Sequence, residues 1–148
     1  MGNSQRLIDE FKKRMMEEFE MTDLGLMRYF LGIEVKQLKE GVFISQEGYA
    51  RDILKKFGME DSNPMNTPME PKTKLSKNDE GVVIDENLYR SLVGSLRYLT
   101  CTRPDIAYAV GVISRYMESL KSSHWKAAKR TSVCQRHSRP RVAIPEGN

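Results

Sequence analysis

One side of a predicted helix over residues 86–99 combines basic, aromatic and glycine residues. At about 100° per residue, Arg90, Gly94 and Tyr98 form a stripe, with Arg97 alongside. The cation suits a phosphate or a groove edge, the glycine admits a nucleic-acid backbone, and the aromatic ring suits stacking on a sugar. The alternative is an ordinary solvated face, on which Gly94 merely lowers helix stability by about 1 kcal/mol. The residues alone leave both interpretations open.

A second candidate contact is the pair Leu31-Gly32, which lies in a segment that alternates like a strand. Tyr29, Leu31, Ile33 and Val35 recur with a period of two. A glycine inside a strand predicts a bulge or a place where another backbone comes close. Because it has no side chain, it also lets a phosphate approach the chain. From the residues alone, a bulge packed against the first helix is the favoured interpretation.

The residues that could bind zinc or act as nucleophiles form no recognisable constellation. Cys101, His124, Cys134 and His137 have spacings that fit none of the common zinc patterns. The sequence contains no glycine-rich phosphate loop and no adjacent pair of aspartates. We therefore predict no metal site and no catalytic residue. Two cysteines make no disulfide framework, so a reducing intracellular compartment is expected.

Hydrophobic periodicity, turn residues and helix caps predict the helices and strands that position these residues, and together these elements make an α+β fold. They are a helix over 4–20, a β-hairpin over 28–46, a helix over about 46–57, a helix from Asp85 to about Leu99, a helix beginning at Pro104 and a helix beginning near Ser123. Leu88, Leu92, Leu96 and Leu99 are predicted to face the helix that begins at Pro104. After Arg130 the pattern has no period, which predicts a disordered tail.

Length, composition and net charge limit the classes of protein to which the chain can belong. The chain has 148 residues, of which 39% are hydrophobic and 30% charged, enough apolar residues for one modest core. No apolar run approaches the ~18 residues of a membrane-spanning helix, so no membrane partner is expected. The net charge of +4 is compatible with an anionic partner but is also typical of a mixed, solvated surface.

A series of distinctive strings follows one another along the chain. They are Phe-Glu-Met-Thr-Asp-Leu-Gly (19–25), Tyr-Phe-Leu-Gly-Ile-Glu-Val (29–35), Ile-Ser-Gln (44–46), Ile-Leu-Lys-Lys-Phe-Gly-Met (53–59), Asn-Thr-Pro-Met (66–69), Tyr-Arg-Ser-Leu-Val-Gly-Ser-Leu-Arg-Tyr-Leu (89–99) and Thr-Arg-Pro-Asp-Ile-Ala-Tyr-Ala-Val (102–110), followed by His124 and Ala127-Ala128-Lys129-Arg130. In this order the strings closely resemble the reverse transcriptase of copia-type retrotransposon Pol polyproteins. The resemblance runs through about residues 5–130.

The resemblance implies a division of the chain into polymerase parts. Residues 4–58 resemble a partial palm with a primer-grip-like hairpin and the helix that follows it. Residues 59–84 are expected to be a proline-containing linker loop, residues 85–130 thumb-like helices, and residues 131–148 a disordered basic tail. On this reading a tight turn carrying Leu31 and Gly32 would touch the primer 3′ end.

The resemblance also implies what the segment lacks. Polymerases of the family hold two divalent metals through palm aspartates that include an adjacent pair, and these metals clamp the reacting oxygens. Because the sequence has no such pair, we expect this chain to begin after the catalytic centre and to be no enzyme by itself. The expected cofactor is none, since magnesium would belong to the missing palm site.

The expected function is therefore that of a truncated reverse transcriptase fragment that retains weak primer–template binding. The expected nucleic-acid contacts are Leu31, Gly32, Arg90, Gly94, Arg97 and Tyr98. The expected partners are an RNA–DNA hybrid or duplex primer–template and an intact polymerase. The alternatives are a helical protein-interaction module and the non-functional product of a pseudogene.

Overall fold

Five α-helices and an antiparallel sheet lie in the part of the chain that the computed structural model describes. The described residues are 4–38, 41–70, 73–76, 82, 84–118, 120–134 and the backbone of 142–144. Helix and sheet alternate in the N-terminal half, and three helices fill the C-terminal half. The α+β class predicted from the sequence is confirmed.

Helix α1 (Gln5–Glu18) is amphipathic, yet none of its residues is buried. Leu7 is 57% exposed and Phe11 63% exposed. A salt bridge of 2.8 Å joins Lys12 Nζ to Asp23 Oδ2, beyond the helix end. This hydrogen bond raises the pKa of Lys12 and lowers the pKa of Asp23. Polar contacts rather than burial therefore connect α1 to the chain that follows.

The next segment contains a tight turn where the alternating pattern predicted a continuous strand. Leu31 and Gly32 have positive φ angles of 49° and 78°, as two-residue hairpin turns require. The chain therefore has the tight turn that the resemblance implied, and not a bulge at Gly32. Leu31 follows the period of a strand residue, which is why periodicity alone misplaced it. The turn joins β1 (Tyr29–Phe30) to β2 (Ile33–Leu38), which pairs with β3 (Gly41–Ser45).

Glu34 on β2 links the sheet to helix α2 (Glu47–Lys56). Its Oε1 accepts the Gly48 N–H at 2.9 Å, and its Oε2 accepts the Ser45 hydroxyl at 3.4 Å. A carboxylate suits this place because the first N–H groups of a helix lack partners inside the helix. At the other end of α2, Gly58 has a φ of 62°, the left-handed conformation that glycine commonly adopts just after a helix.

The C-terminal half packs three helices around one core that also includes α2. Helix α3 (Glu86–Leu99) is capped at its N-terminus by Asp85, whose side chain accepts the Asn87 N–H at 2.8 Å. A 3₁₀ turn beginning at Pro104 leads into α4 (Ala107–Ile113), and α5 spans Ser122–Cys134. The core joins α2 to these helices through Ile53, Leu54, Leu92, Leu96, Leu99, Ile106, Val110, Ile113 and Ala128.

The buried side of α3 lies at a slightly different angle from the predicted one. Leu92, Leu96 and Leu99 are buried as predicted, but Leu88 is 42% exposed. Tyr89, which sequence reasoning left out of the core, is fully buried and donates its hydroxyl to the Ile113 carbonyl at 2.8 Å. This burial raises the pKa of Tyr89. A buried tyrosine is stable here because its polar end has a partner.

Helix α5 extends beyond the point where the sequence lost its period. Residues 131–134 are helical and buried, so the predicted start of a disordered tail at Thr131 is wrong. Thr131 and Ser132 donate their hydroxyls at 2.9 Å to the carbonyls of Ala127 and Ala128, four residues earlier. These bonds satisfy the polar groups and allow their burial.

Two further segments attach to this framework. Strand β4 (Val142–Ile144) pairs antiparallel with β3, whereas the rest of 135–148 lies outside the described residues. The described residues of the predicted linker at 59–84 contact the helices: the Leu75 carbonyl accepts the Tyr116 hydroxyl at 2.7 Å, and Glu70 pairs with Arg130 at 3.2 Å. Among the described helices, none has the length and apolar character needed to cross a bilayer.

Candidate nucleic-acid interface

The Leu31-Gly32 turn lies at the surface and carries the first two predicted contact residues. Leu31 is 72% exposed. A Cβ built on Gly32 would lie 3.8 Å from Tyr98 Cε1, which is an ordinary contact distance. The positive φ of Gly32, rather than lack of space, therefore makes glycine the suitable residue.

Tyr98 brings α3 and this turn together. Its hydroxyl donates to the Leu31 carbonyl. Its ring meets Tyr49 of α2 edge to face, with centroids 5.1 Å apart and planes at 83°. Three of the predicted contact residues are thus adjacent in space although 67 positions separate Leu31 from Tyr98. The sequence did not single out Tyr49 as part of this site, because its contact with Tyr98 depends on how α2 packs against α3.

Arg90 and Gly94 lie on the exposed side of α3, as the helical wheel predicted. The Arg90 guanidinium pairs with Glu86 at 2.7 Å and contacts the Met117 carbonyl at 3.4 Å. A Cβ built on Gly94 would meet nothing within 4 Å. Packing inside the molecule therefore does not require glycine at this position, and the exposed face is open to another molecule.

Arg97 completes the exposed stripe. Within the described residues its guanidinium has no ion pair and no hydrogen bond, and its side chain is exposed. Lys56 of α2 lies beside the same helix and donates to the Ser91 hydroxyl at 3.0 Å. The helix therefore presents cations at Arg90 and Arg97, with Lys56 nearby, next to the tyrosine-bound turn. Such a face suits phosphate contacts, which fix a nucleic acid without reading its sequence.

Of the residues considered for zinc, the three that the structure describes belong to no metal-binding group of described side chains. Cys101 is exposed, whereas Cys134 is buried, and burial raises the pKa of its thiol. The buried His124 stacks on Tyr116 with centroids 4.4 Å apart, and its Nδ1 accepts the Lys121 N–H at 3.1 Å. His137 lies outside the described residues.

For the whole polymerase, the resemblance implies magnesium bound by convergent carboxylates. In the described ranges, no three His, Cys, Asp or Glu side chains come together as a metal-binding group. The described residues therefore do not fit a pair of catalytic metals.

An open groove of about 730 Å³ lies between the loop after α2 and helix α5. Its lining includes Met59, Met69, Leu75, Lys126 and Lys129. None of the predicted contact residues lines it, so the groove is separate from the face of α3 described above.

Comparison with known proteins connects the chain to reverse transcriptases. A family described as reverse transcriptase (RNA-dependent DNA polymerase) matches residues 1–71. The retrovirus-related Pol polyprotein from transposon RE1 of Arabidopsis thaliana is 39% identical over 129 residues, 87% of this chain. The one from transposon TNT 1-94 of Nicotiana tabacum is 38% identical over 138 residues, also 87%. Over most of its length the chain is similar to the reverse transcriptase of copia-type Pol polyproteins.

The predicted resemblance to copia-type reverse transcriptases is thus confirmed. An uncharacterized mitochondrial protein of Arabidopsis thaliana is also similar, at 40% identity over 129 residues, 87% of this chain. Matches of this length extend beyond residue 71, into the helical half. The chain spans 9% and 10% of the two copia-type polyproteins and 53% of the mitochondrial protein. No solved structure matches the chain significantly.

Proposed function

We propose that this chain is the primer–template-binding part of a copia-type reverse transcriptase. The hairpin with the Leu31-Gly32 turn acts as a primer-grip-like element of the palm, and helices α3–α5 act as the thumb. The substrate is an RNA–DNA hybrid or a duplex primer–template. The exposed face of α3 lies over its minor groove while the turn meets the primer end.

The contact between Tyr98 and Leu31 is the observation that supports this proposal most directly. Two segments proposed to touch the same nucleic acid must present one surface, and this hydrogen bond makes them adjacent. The surface also includes Arg97, a cation that has no ion pair among the described residues. At Gly94 no side chain covers the helix backbone. An ordinary solvated face needs neither the adjacency nor the glycine.

The test is fluorescence anisotropy of a labelled RNA–DNA hybrid, with the wild-type chain, Arg90→Glu and Arg14→Glu. Arg14 is a matched control because it also pairs with a glutamate four residues away, at 2.7 Å, on the exposed α1. We expect saturable binding that weakens steeply with salt. Arg90→Glu should weaken binding at least about tenfold, since it replaces a phosphate-contacting cation by an anion, and Arg14→Glu should change it little. Equal effects of both substitutions would contradict the proposed site.

We propose further that the chain carries out no nucleotidyl transfer by itself. The sequence has no adjacent aspartate pair, and two-metal chemistry depends on such carboxylates. A primer-extension assay with magnesium and all four nucleotides should give no product. Extension by the purified chain would overturn this part of the proposal.

A protein-interaction role is the second candidate, and one observation favours it. Apolar side chains of α1 and of the segment after it are exposed, including Leu24 at 92% and Leu26 at 72%. Exposed apolar patches of this kind mark protein contacts. The partner of this surface would be an intact polymerase. This candidate would be favoured if the chain did not bind the hybrid but associated with that polymerase, and if salt did not weaken the association.

A further inference from the structure

We propose that Tyr98 is a positioning residue that holds the Leu31-Gly32 turn in its binding conformation. Direct stacking on nucleic acid is then not its role. The proposal rests on the function proposed above and explains how the two parts of that site stay together.

The backbone at Leu31 is the first observation behind this inference. Its φ of 49° lies in the left-handed region, which residues with a branched or bulky side chain rarely adopt. The Leu31 side chain is 72% exposed, so its own packing does not compensate for this conformation. Such a conformation persists where the surrounding structure fixes it.

The contact with Tyr98 supplies that support. The Tyr98 hydroxyl donates to the carbonyl of Leu31 itself. The ring that carries the hydroxyl is held by α3, whose neighbouring Leu99 is 1% exposed, and by the edge-to-face contact with Tyr49. The bond therefore connects a strained exposed turn to two helices that share the core. It leaves the exposed side of the turn available for a primer end.

Hydrogen exchange on the full chain tests whether Tyr98 orders the turn. Tyr98→Phe keeps the ring and removes only the hydroxyl. Tyr108→Phe is the matched control, because Tyr108 is 79% exposed on α4. We expect amides of residues 29–35 to exchange about 3- to 10-fold faster in Tyr98→Phe, the range expected for one lost hydrogen bond. The control should exchange as the wild type does.

Hybrid affinity separates a positioning role from direct stacking. If Tyr98 stacks on the nucleic acid, Tyr98→Phe binds as the wild type does, since the ring remains. If it positions the turn, Tyr98→Phe weakens binding about 3- to 10-fold. The slope of affinity against salt stays unchanged, because no charge is removed. Melting temperature should remain close to that of Tyr108→Phe.

A rescue variant provides the sharpest test. Leu31→Asn places Asn-Gly in the turn, the pair that adopts this conformation most readily. In that background Tyr98→Phe should weaken binding less than about twofold, because the turn no longer depends on the tyrosine. The same loss in both backgrounds would overturn the proposal.

The remaining outcomes are also decisive. Unchanged exchange over residues 29–35 in Tyr98→Phe overturns the ordering role. Faster exchange with unchanged hybrid affinity overturns the positioning role for binding. If the wild-type chain binds no hybrid, the proposed function fails, and exchange alone then shows whether Tyr98 orders the turn.

Discussion

Two glycines of the proposed interface are expected to respond in opposite ways to alanine. Gly32 has a φ of 78°, so Gly32→Ala should lower the free energy of unfolding by about 1–2 kcal/mol. Gly94 lies in α3 with open space around it, so Gly94→Ala should raise that free energy by about 1 kcal/mol. Urea denaturation of both variants measures the two signs. Weaker hybrid binding by the stabilised Gly94→Ala chain would indicate that nucleic acid approaches the backbone there, and unchanged binding would contradict it.

The buried hydroxyl of Tyr89 is expected to make stability depend on alkaline pH. Its pKa is raised from 10.0 because burial disfavours the phenolate. The folded state favours the neutral phenol, so below pH 10 the Tyr89 hydroxyl makes its full contribution to the free energy of unfolding. Above that pH only the unfolded state releases the proton, and stability falls by about 1.4 kcal/mol per pH unit. Comparing urea denaturation of Tyr89→Phe with the wild type between pH 8 and 11 should show a shallower decline in the variant.

At the scale of single elements, the beginning of α3 depends on one side chain. Asp85 accepts the Asn87 N–H at 2.8 Å and so satisfies a donor that the helix cannot. Asp85→Ala should lower the free energy of unfolding by about 1 kcal/mol, whereas Asp85→Asn should retain most of it. Thermal denaturation followed by circular dichroism distinguishes the two. An equal loss in both variants would mean that charge, and not the cap hydrogen bond, matters at Asp85.

The elements that sequence could predict are those with a clear local signal. Helices α1, α2 and α3 combine regular apolar spacing with capping residues such as Asp85 and Gly58, and all three are present where expected. The sequence did not reveal the break at Leu31, because a leucine there fits a strand as well as a turn. It did not reveal the last turn of α5 either, since Thr131 and Ser132 are polar and become buried only through bonds to their own helix.

The candidate contact residues also divide into those whose position the sequence predicts and those whose neighbours it does not reveal. The exposed position of Arg90 and Gly94 followed from helical spacing alone. The adjacency of Tyr98 and Leu31 did not, because it depends on how α3 packs against the sheet over 67 positions of sequence. Spacing predicts which residues share one helix face, but long-range adjacency depends on tertiary packing.

At the scale of the whole molecule, the end of α5 contributes to the core. Val133 and Cys134 are 5% and 4% exposed. A chain that ends at Arg130 should therefore melt clearly lower than one that ends at Cys134, since it loses this burial and the bond from Thr131 to the Pro68 carbonyl. Differential scanning calorimetry of both truncations makes the comparison. Equal melting temperatures would indicate that residues 131–134 do not stabilise the core and belong to the tail.

The contact made by Glu34 has a consequence for the order in which the chain folds. It joins β2 to the N-terminus of α2 across only 14 positions, and closing a short loop costs less conformational entropy than closing a long one. The main core, by contrast, must bring Ile53 of α2 together with Val133 of α5. The hairpin and α2 therefore form a local unit that is expected to assemble early, as a surface on which the three C-terminal helices later condense.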